Sequence, residues 1–292
     1  MLKHIKGNSY FFESKICIGI HIKDNKATLI DTGLDDDYSR KIYNVLKEKN
    51  IEIKTIINTH SHGDHFGGNN LLKQRTNCRI YAPVIEANIM ENPLLEPIYL
   101  FGGEPITELK DKFFMAKPSI PDVVIKEETE IEGLKIIKAP GHTFNMINLL
   151  TNDNVLYASD SFFSEEVLKK YKIPYLFNVE KSLVFLKQLY DSDYEFFLLA
   201  HGGLLNNEQA KSAIQKNIEK LNEVAQIITD FLKEKNTPEG ILKFLSEKYD
   251  LYVQIAQYFL NMSIVMAFLS YLRTQGKIDC FVEGKELYWK KN

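Results

Sequence analysis

The stretch Thr59-His60-Ser61-His62-Gly63-Asp64-His65 carries three imidazoles and one carboxylate, and it closely follows the apolar run Ile53 to Ile57. That run predicts a buried strand, so the stretch lies in the loop where the strand ends. His60 and His62 are two residues apart on extended backbone, so both side chains point to the same side and can hold one cation. The carboxylate and the third imidazole follow in the turn and can reach a second cation. An exposed polar turn is the alternative, but this ligand chemistry is typical of a metal site.

Three further residues lie where other predicted strands end. His142 follows one apolar run, Asp160 ends another, and His201 precedes a pair of glycines. Functional side chains commonly collect in such loops on a rigid scaffold, so we expect these three residues to join the first cluster. The two remaining histidines, His4 and His21, have no such setting, and a structural role is predicted for both.

In their order along the chain, these residues resemble the metallo-β-lactamase fold superfamily. The resemblance begins at Asp31 in Leu29-Ile30-Asp31-Thr32-Gly33, continues through the histidine cluster and ends with His201. It covers roughly residues 1–205 and implies an α/β fold, an αββα sandwich in which two sheets pack on each other with helices outside. A helix predicted over Tyr38 to Lys49, from apolar residues at positions 42, 45 and 46, agrees with this layout.

The resemblance also implies a dinuclear metal centre. The ligands it implies are His60, His62 and His142 for the first metal, Asp64, His65 and His201 for the second, and Asp160 as a carboxylate bridge between them. Asp31 would accept a hydrogen bond from a ligand imidazole and fix its tautomer. Two zinc ions per chain are expected, although iron or manganese also suits these donors. Such a pair would provide a bridging hydroxide near neutral pH, so a hydrolase with Asp64 and Asp160 as catalytic carboxylates is expected.

Two positions distinguish branches of this superfamily. Asp160 stands where true β-lactamases typically carry cysteine or serine, which disfavours antibiotic hydrolysis, and His62 stands where flavodiiron oxygen reductases commonly carry glutamate. The expected function is therefore hydrolysis of a small-molecule thioester or another carboxylic ester, as in glyoxalase II. Two alternatives remain open. One is a phosphodiesterase or ribonuclease acting on RNA or a nucleotide, and the other is a metal-binding protein that contacts partners through its C-terminal domain.

Composition favours a cytoplasmic enzyme. The net charge of -3 disfavours a basic nucleic-acid-binding surface, which leaves nucleic-acid binding open only through the metals. Cys17, Cys78 and Cys280 are odd in number and widely spaced, which predicts free thiols in a reducing compartment. No apolar stretch of signal-peptide length follows Met1. The uncharged run Leu251 to Leu272 has the length of a membrane span, but its glutamine, asparagine and serine residues favour a buried helix and no membrane contact.

The catalytic domain predicted over residues 1–205 contains one segment that fits neither half of the sandwich. Residues 91–122 carry five prolines with several aromatic residues between them, and they lie between two ligand motifs. Two interpretations are open for this segment. It is either a lid over the active site, or a packed surface excursion or dimer contact.

Residues 206–292 predict a smaller C-terminal domain. Asn207 to Lys235 and Tyr252 to Arg273 predict helices, Thr237-Pro238 predicts the start of another between them, and a hairpin follows. This order resembles a winged-helix domain. The last helix is too apolar for a DNA groove, and seven basic and six acidic residues follow position 235. A role in bracing the catalytic domain or a homodimer is therefore favoured over nucleic-acid binding.

Overall fold

The computed structural model describes residues 1–292 and contains two large β-sheets that pack on each other. The strands of the first sheet lie in chain order, antiparallel up to the fourth strand and parallel from the fourth to the seventh. They are β1 (Leu2–Lys6), β2 (Ser9–Phe12), β3 (Ile18–Lys23), β4 (Lys26–Ile30), β5 (Glu52–Ile57), β6 (Arg79–Pro83) and β7 (Val123–Ile125). The parallel pairs require crossover connections, which helices provide.

The second sheet has six strands in reverse chain order across the sheet. Its strands are β8 (Glu130–Ile131), β9 (Leu134–Lys138), β10 (Ile147–Leu150), β11 (Val155–Ser159), β12 (Phe196–Leu199) and β13 (Gly203–Asn206). Only β11 and β12 pair in parallel, and a helical crossover joins them. The two sheets therefore have different topologies, although both deliver loops to the same site.

Ten α-helices complete the fold. They are α1 (Asp36–Glu48), α2 (Gly63–Phe66), α3 (Asn69–Thr76), α4 (Val84–Glu91), α5 (Leu95–Phe101), α6 (Glu165–Tyr171), α7 (Val179–Tyr190), α8 (Asn207–Phe231), α9 (Pro238–Tyr249) and α10 (Ile255–Thr274). The first helix shows why they form where they do. Asp35 caps α1 by accepting a hydrogen bond from the Tyr38 amide at 3.1 Å, and Ile42 and Leu46, four residues apart, are buried against the sheet.

Three layers of apolar contact confirm the predicted αββα sandwich. Between the sheets, Ile30 and Ile57 of the first sheet join Leu149 and Leu198 of the second in one buried cluster. A second cluster packs α1 and α3 on the outer face of the first sheet, and a third packs α7 and α8 on the outer face of the second. Each sheet therefore buries both of its faces.

Gly19 in β3 allows the sheets to approach each other. A Cβ atom at this position would lie 2.5 Å from the ring of Tyr157 in β11, which is fully buried. The phenol of Tyr157 lies 3.1 Å and 2.9 Å from the carbonyl oxygens of Tyr10 and Ile20, to which it can donate a hydrogen bond. A residue with a side chain at position 19 would have to displace this contact.

Gly19→Ala is expected to lower the free energy of unfolding by about 1–3 kcal/mol, because a well-packed core accommodates an added methyl group only with strain. Urea unfolding of the purified protein measures this change. Gly103→Ala is the matched control, since its Cβ would meet only the ring of Phe101 at 3.8 Å. An equally small loss in both variants would contradict the tight contact between the sheets.

The C-terminal region consists of α8, α9, α10 and a hairpin of β14 (Ile278–Glu283) and β15 (Glu286–Lys291). Phe268 and Leu269 of α10 and Trp289 of β15 belong to the same buried cluster as Leu156 and Phe197 of the second sheet. By length and composition α10 could cross a membrane. Within the protein its buried residues are part of this shared core, so the helical region is continuous with the sandwich. The winged-helix assignment stays a prediction.

Residues 91–122, called here the 91–122 segment, contain α5 and a 3-10 turn over Thr107–Leu109. Its apolar residues Leu100, Leu109 and Phe114 form a small buried cluster with residues of α10. The rings of Phe101 and Phe259 lie 5.1 Å apart at this junction. Helix α10 therefore packs against the 91–122 segment.

Candidate metal centre

All seven residues predicted as ligands lie together where loops of both sheets converge. They are His60 and His62 after β5, Asp64 and His65 in α2, His142 between β9 and β10, Asp160 after β11, and His201 between β12 and β13. The first sheet therefore supplies four of them and the second sheet three. His4 in β1 and His21 in β3 lie outside this site.

One part of the site is called the three-histidine group and consists of His60, His62 and His142. Nδ1 of His62 lies 3.1 Å from Nε2 of His60 and 3.0 Å from Nε2 of His142. Three ring nitrogens that converge in this way point their lone pairs at a common position. This is the arrangement that a tetrahedral cation such as Zn²⁺ requires of three ligands.

The other part is called the mixed group and consists of Asp64, His65 and His201. Nε2 of His201 lies 3.2 Å from Oδ2 of Asp64, and Nε2 of His65 lies 3.7 Å from Oδ1 of the same carboxylate. The donor atoms of the three residues lie within 4.8 Å of one another. This group can therefore surround a second cation.

Asp160 lies between the two groups. Its Oδ2 atom is 3.3 Å from Nε2 of His65, 3.6 Å from Nε2 of His142 and 3.6 Å from Nε2 of His201. A single carboxylate oxygen thus faces ligands of both groups. Burial acts to raise the pKa of Asp160, but the surrounding histidines, His201 first, outweigh it and hold that pKa below its usual range.

Two unpartnered polar atoms test whether the site fits metal ions. Nε2 of His65 and Oδ1 of Asp160 are buried and make no hydrogen bond within the protein. Buried polar atoms normally have partners, so these two need one that the protein itself does not supply. Five imidazoles and two carboxylates form a donor set that suits Zn²⁺, Fe²⁺ or Mn²⁺. The residues therefore fit a pair of divalent metals.

In the three-histidine group and at Asp64, the electrostatics favour the protonation states that metal binding needs. The pKa of His62 is lowered to about 3, chiefly by burial and then by the neighbouring His142. The pKa values of the other two imidazoles in the three-histidine group are also lowered, mainly by burial. Burial acts to raise the pKa of Asp64, but His65 and His201 outweigh it and lower this pKa to about 2. Neutral imidazoles and an ionised carboxylate are the forms that coordinate a metal.

At His65 and His201 the electrostatics act the other way. Carboxylates, Asp64 first at His65 and Asp160 first at His201, outweigh burial and raise the pKa of each imidazole. Metal binding at these two imidazoles must therefore displace a proton.

Asp31, at the end of β4, makes the predicted hydrogen bond with an imidazole. Its Oδ2 accepts from Nδ1 of His65 at 2.8 Å, which turns Nε2 of that ring towards the site. The same carboxylate accepts from the amide and the hydroxyl of Thr59, both at 2.8 Å. The backbone of Asp31 has φ = 68°, a left-handed conformation that Asp and Asn tolerate better than most residues. His142 is oriented in a similar way, because its Nδ1 lies 3.1 Å from the carbonyl oxygen of Tyr175.

Two buried carboxyl groups beside the ligands were not identified from the sequence. Glu86 in α4 accepts hydrogen bonds from the loops that carry His62 and His142. Glu96 in α5 lies with Oε1 4.0 Å from Nε2 of His62, and its pKa is raised well above the usual value, first by burial and then by Asp64 and Glu86. In the sequence each is an acidic residue that follows apolar residues within a helix, which is the only signal of their role.

The 91–122 segment lies directly over the histidine loop. A Cβ atom at Gly63 would lie 2.9 Å from the carbonyl oxygens of Lys112 and Phe113, so only glycine fits at this position between two ligands. Tyr99 of the same segment packs edge-on against Phe144, at 5.5 Å between ring centroids, two residues after a ligand. The segment therefore packs against the loops that carry His62 and His142.

The model of one protein family matches residues 6–201, a range that includes every residue of the site. This model describes the metallo-β-lactamase superfamily. The chain belongs to the metallo-β-lactamase superfamily. The fold, the order of the site residues and the two metal-compatible groups agree with this membership.

Individual relatives within the superfamily are distant. A probable metallo-hydrolase of Methanocaldococcus jannaschii is 29% identical over 167 residues, which are 56% of this chain and 73% of that protein. A hydroxyacylglutathione hydrolase of Pelagibacter ubique is 26% identical over 222 residues, which are 72% of this chain and 82% of that protein. The chain is thus a metal-dependent hydrolase of the metallo-β-lactamase superfamily.

The shape of the whole chain also has a counterpart among solved structures. A β-lactamase domain protein from Burkholderia ambifaria superposes with a TM-score of 0.79 over 100% of this chain and 94% of that chain, at 14% sequence identity. At this identity the likeness shows the fold alone. It includes the C-terminal helical region, so the superfamily sandwich and these helices occur together in another protein.

Proposed function

We propose that the protein hydrolyses a small-molecule thioester or another carboxylic ester. The observation that carries this proposal is the packing of the 91–122 segment against the ligand loops, which places its backbone beside Gly63 and an aromatic ring beside Phe144. A site enclosed on this side suits a small acyl substrate better than a polymer strand. The similarity to a hydroxyacylglutathione hydrolase, whose name denotes a thioester substrate, supports the same class.

In this proposal the three-histidine group would hold one divalent ion and the mixed group the other, and Asp160, which faces imidazoles of both groups, would serve as a further ligand. Zn²⁺ is the expected metal. The ions, when bound, would supply a nucleophilic water at neutral pH and positive charge beside the carbonyl oxygen. Asp64 and Asp160 hold their carboxylates ionised in the metal-free protein because imidazoles surround them. Asp31 and the Tyr175 carbonyl fix the rings of His65 and His142, so that little reorganisation is needed during reaction.

The 91–122 segment acts as a lid in this proposal. Tyr99, Phe144 and Phe177 form a connected aromatic set, with centroid distances of 5.5 Å and 4.2 Å between successive rings. An apolar part of the substrate would pack on this set, while the lid excludes bulk water from the reacting carbonyl. The contact between Phe101 and Phe259 gives the C-terminal helices a role in supporting the lid.

Turnover on two substrate panels tests the proposal. The protein is loaded with Zn²⁺ and assayed on acyl thioesters and lactones, and separately on phosphodiesters and short RNA, each with and without a chelator. Hydrolysis of thioesters or esters that the chelator abolishes is the expected result, because chelation removes both ions. Chelator-sensitive cleavage of phosphodiesters alone would overturn the proposed substrate class and favour the nuclease alternative.

A further inference from the structure

Glu86 makes an unusual set of contacts for a helical residue. It lies in α4, and its side chain is 0% exposed. Oε2 accepts hydrogen bonds from the amide and hydroxyl of Ser61 at 3.0 Å and 2.6 Å. Oε1 accepts hydrogen bonds from the Thr143 hydroxyl and the Asn145 amide, both at 2.8 Å. Each carboxyl oxygen therefore has two donors, which is near the full capacity of the group.

The two sets of donors belong to two different ligand loops. Ser61 lies between His60 and His62, and Thr143 directly follows His142. One oxygen of Glu86 therefore holds the loop after β5, and the other holds the loop between β9 and β10. These loops supply the entire three-histidine group, whose nitrogens approach one another to 3.0 and 3.1 Å.

Packing alone does not require a carboxyl group at this position. The neighbours of Glu86 on α4 pack into a purely apolar cluster that includes Phe66, Ala87 and Met90. A buried carboxyl group is costly unless hydrogen bonds compensate it, and here all of the compensation comes from the two loops. The contribution of Glu86 is therefore to hold the two loops together through these hydrogen bonds.

We propose that Glu86 is a positioning residue that fixes the separation of the two loops and so sets the metal affinity of the three-histidine group. This inference rests on the proposed metal site. Three imidazoles on two separate loops bind one ion tightly only if the loops are already held in place, because otherwise binding must order them. Residues that orient metal ligands from behind typically change metal affinity by about 10–100-fold when they are replaced.

Glu86→Gln tests this role with almost no change in shape. The amide retains one oxygen, so its NH₂ group must face donors of one loop, and that loop loses its acceptors. Glu91→Gln is the matched control, since Glu91 lies on the same helix but is exposed. Metal-free protein of each variant is titrated with Zn²⁺ by calorimetry. In a parallel titration, the visible absorption after each addition of Co²⁺ follows the coordination geometry as the ions bind.

We expect Glu86→Gln to weaken one of the two Zn²⁺ binding steps by about 10–100-fold and to alter the Co²⁺ spectrum of that step. The other step and both steps of Glu91→Gln should match the wild type. Unaltered Zn²⁺ affinities and Co²⁺ spectra in Glu86→Gln, with only a lower unfolding temperature, would overturn the proposal and leave Glu86 a purely structural residue.

Two milder variants keep the test decisive if Glu86→Gln does not fold. Ser61→Ala and Thr143→Val each remove one hydroxyl donor from opposite ends of the Glu86 carboxyl group. Each should weaken the same Zn²⁺ binding step several-fold, and wild-type affinity in both would overturn the proposal. No ester substrate is used, so a protein that binds two ions but lacks esterase activity would contradict only the proposed function. A wild-type protein that binds no Zn²⁺ would overturn both.

Discussion

Asp160→Ala is expected to reduce turnover of the Zn²⁺-loaded protein by about 10³-fold or more. Oδ2 of Asp160 is the atom that faces imidazoles of both groups, so the variant would lose the link between the two metal positions. The fold should persist, because Oδ1 makes no hydrogen bond and its removal leaves no donor without a partner there. Steady-state kcat/KM on the best thioester substrate, with thermal unfolding of the same samples, measures both effects.

The control for this variant is Asp193→Ala, which removes an exposed carboxylate outside the site. Its turnover should equal that of the wild type. Turnover of Asp160→Ala within a few-fold of the wild type would exclude a mechanism that depends on two linked metals. A large fall in both variants would instead point to a general effect of charge.

Asp31→Asn is expected to weaken binding of one metal ion by about 10–100-fold and to reduce kcat/KM to a similar extent. The amide keeps the shape and tolerates the backbone angle φ = 68°. However, its NH₂ group would face Nδ1–H of His65 or the donors of Thr59, where the carboxylate now accepts. The unfavourable contact should also lower the free energy of unfolding by about 1–3 kcal/mol.

Asp24→Asn is a suitable control for the Asp31 variant, since Asp24 is exposed, has φ = 50° and lies outside the site. Zn²⁺ titration by calorimetry and urea unfolding are measured on both variants. If Asp31→Asn bound both ions as tightly as Asp24→Asn, the hydrogen bond to His65 would have no part in orienting a ligand.

The elements that the sequence predicted well are those with strong local signals. The helix predicted over Tyr38 to Lys49 is α1, which begins two residues earlier because Asp35 caps it. Thr237 accepts a hydrogen bond from the Gly240 amide, as expected of the residue before Pro238 at a helix start. Boundaries set by distant contacts were less accurate. The helix predicted to reach Lys235 ends at Phe231, because Asn236 forms a β-bridge with Trp289.

In the candidate site, too, residues marked by a local sequence pattern were predicted, whereas residues that act through contacts distant in the chain were not. The cluster from His60 to His65 is contiguous, so its spacing alone indicated metal chemistry, and the resemblance supplied the rest. Glu86 acts on residues 25 and 57 positions away in the chain, and no periodicity or motif marks such contacts. Glu96 reaches His62 only because α5 folds back over the histidine loop. The contacts of Glu86 and Glu96 with the ligand loops are therefore visible only in the three-dimensional structure.

Because the ligands are divided between the two sheets, the stability of the protein in a cell should depend on the supply of metal. His62 and His142 are 80 positions apart in the chain, so an ion between them is a removable cross-link that only the docked sheets can form. Above the dissociation constant, each tenfold rise in free metal would add about 1.4 kcal/mol to the free energy of unfolding. Under metal starvation the sandwich would open more often and meet proteases more often, so the abundance of the enzyme would follow the metal supply.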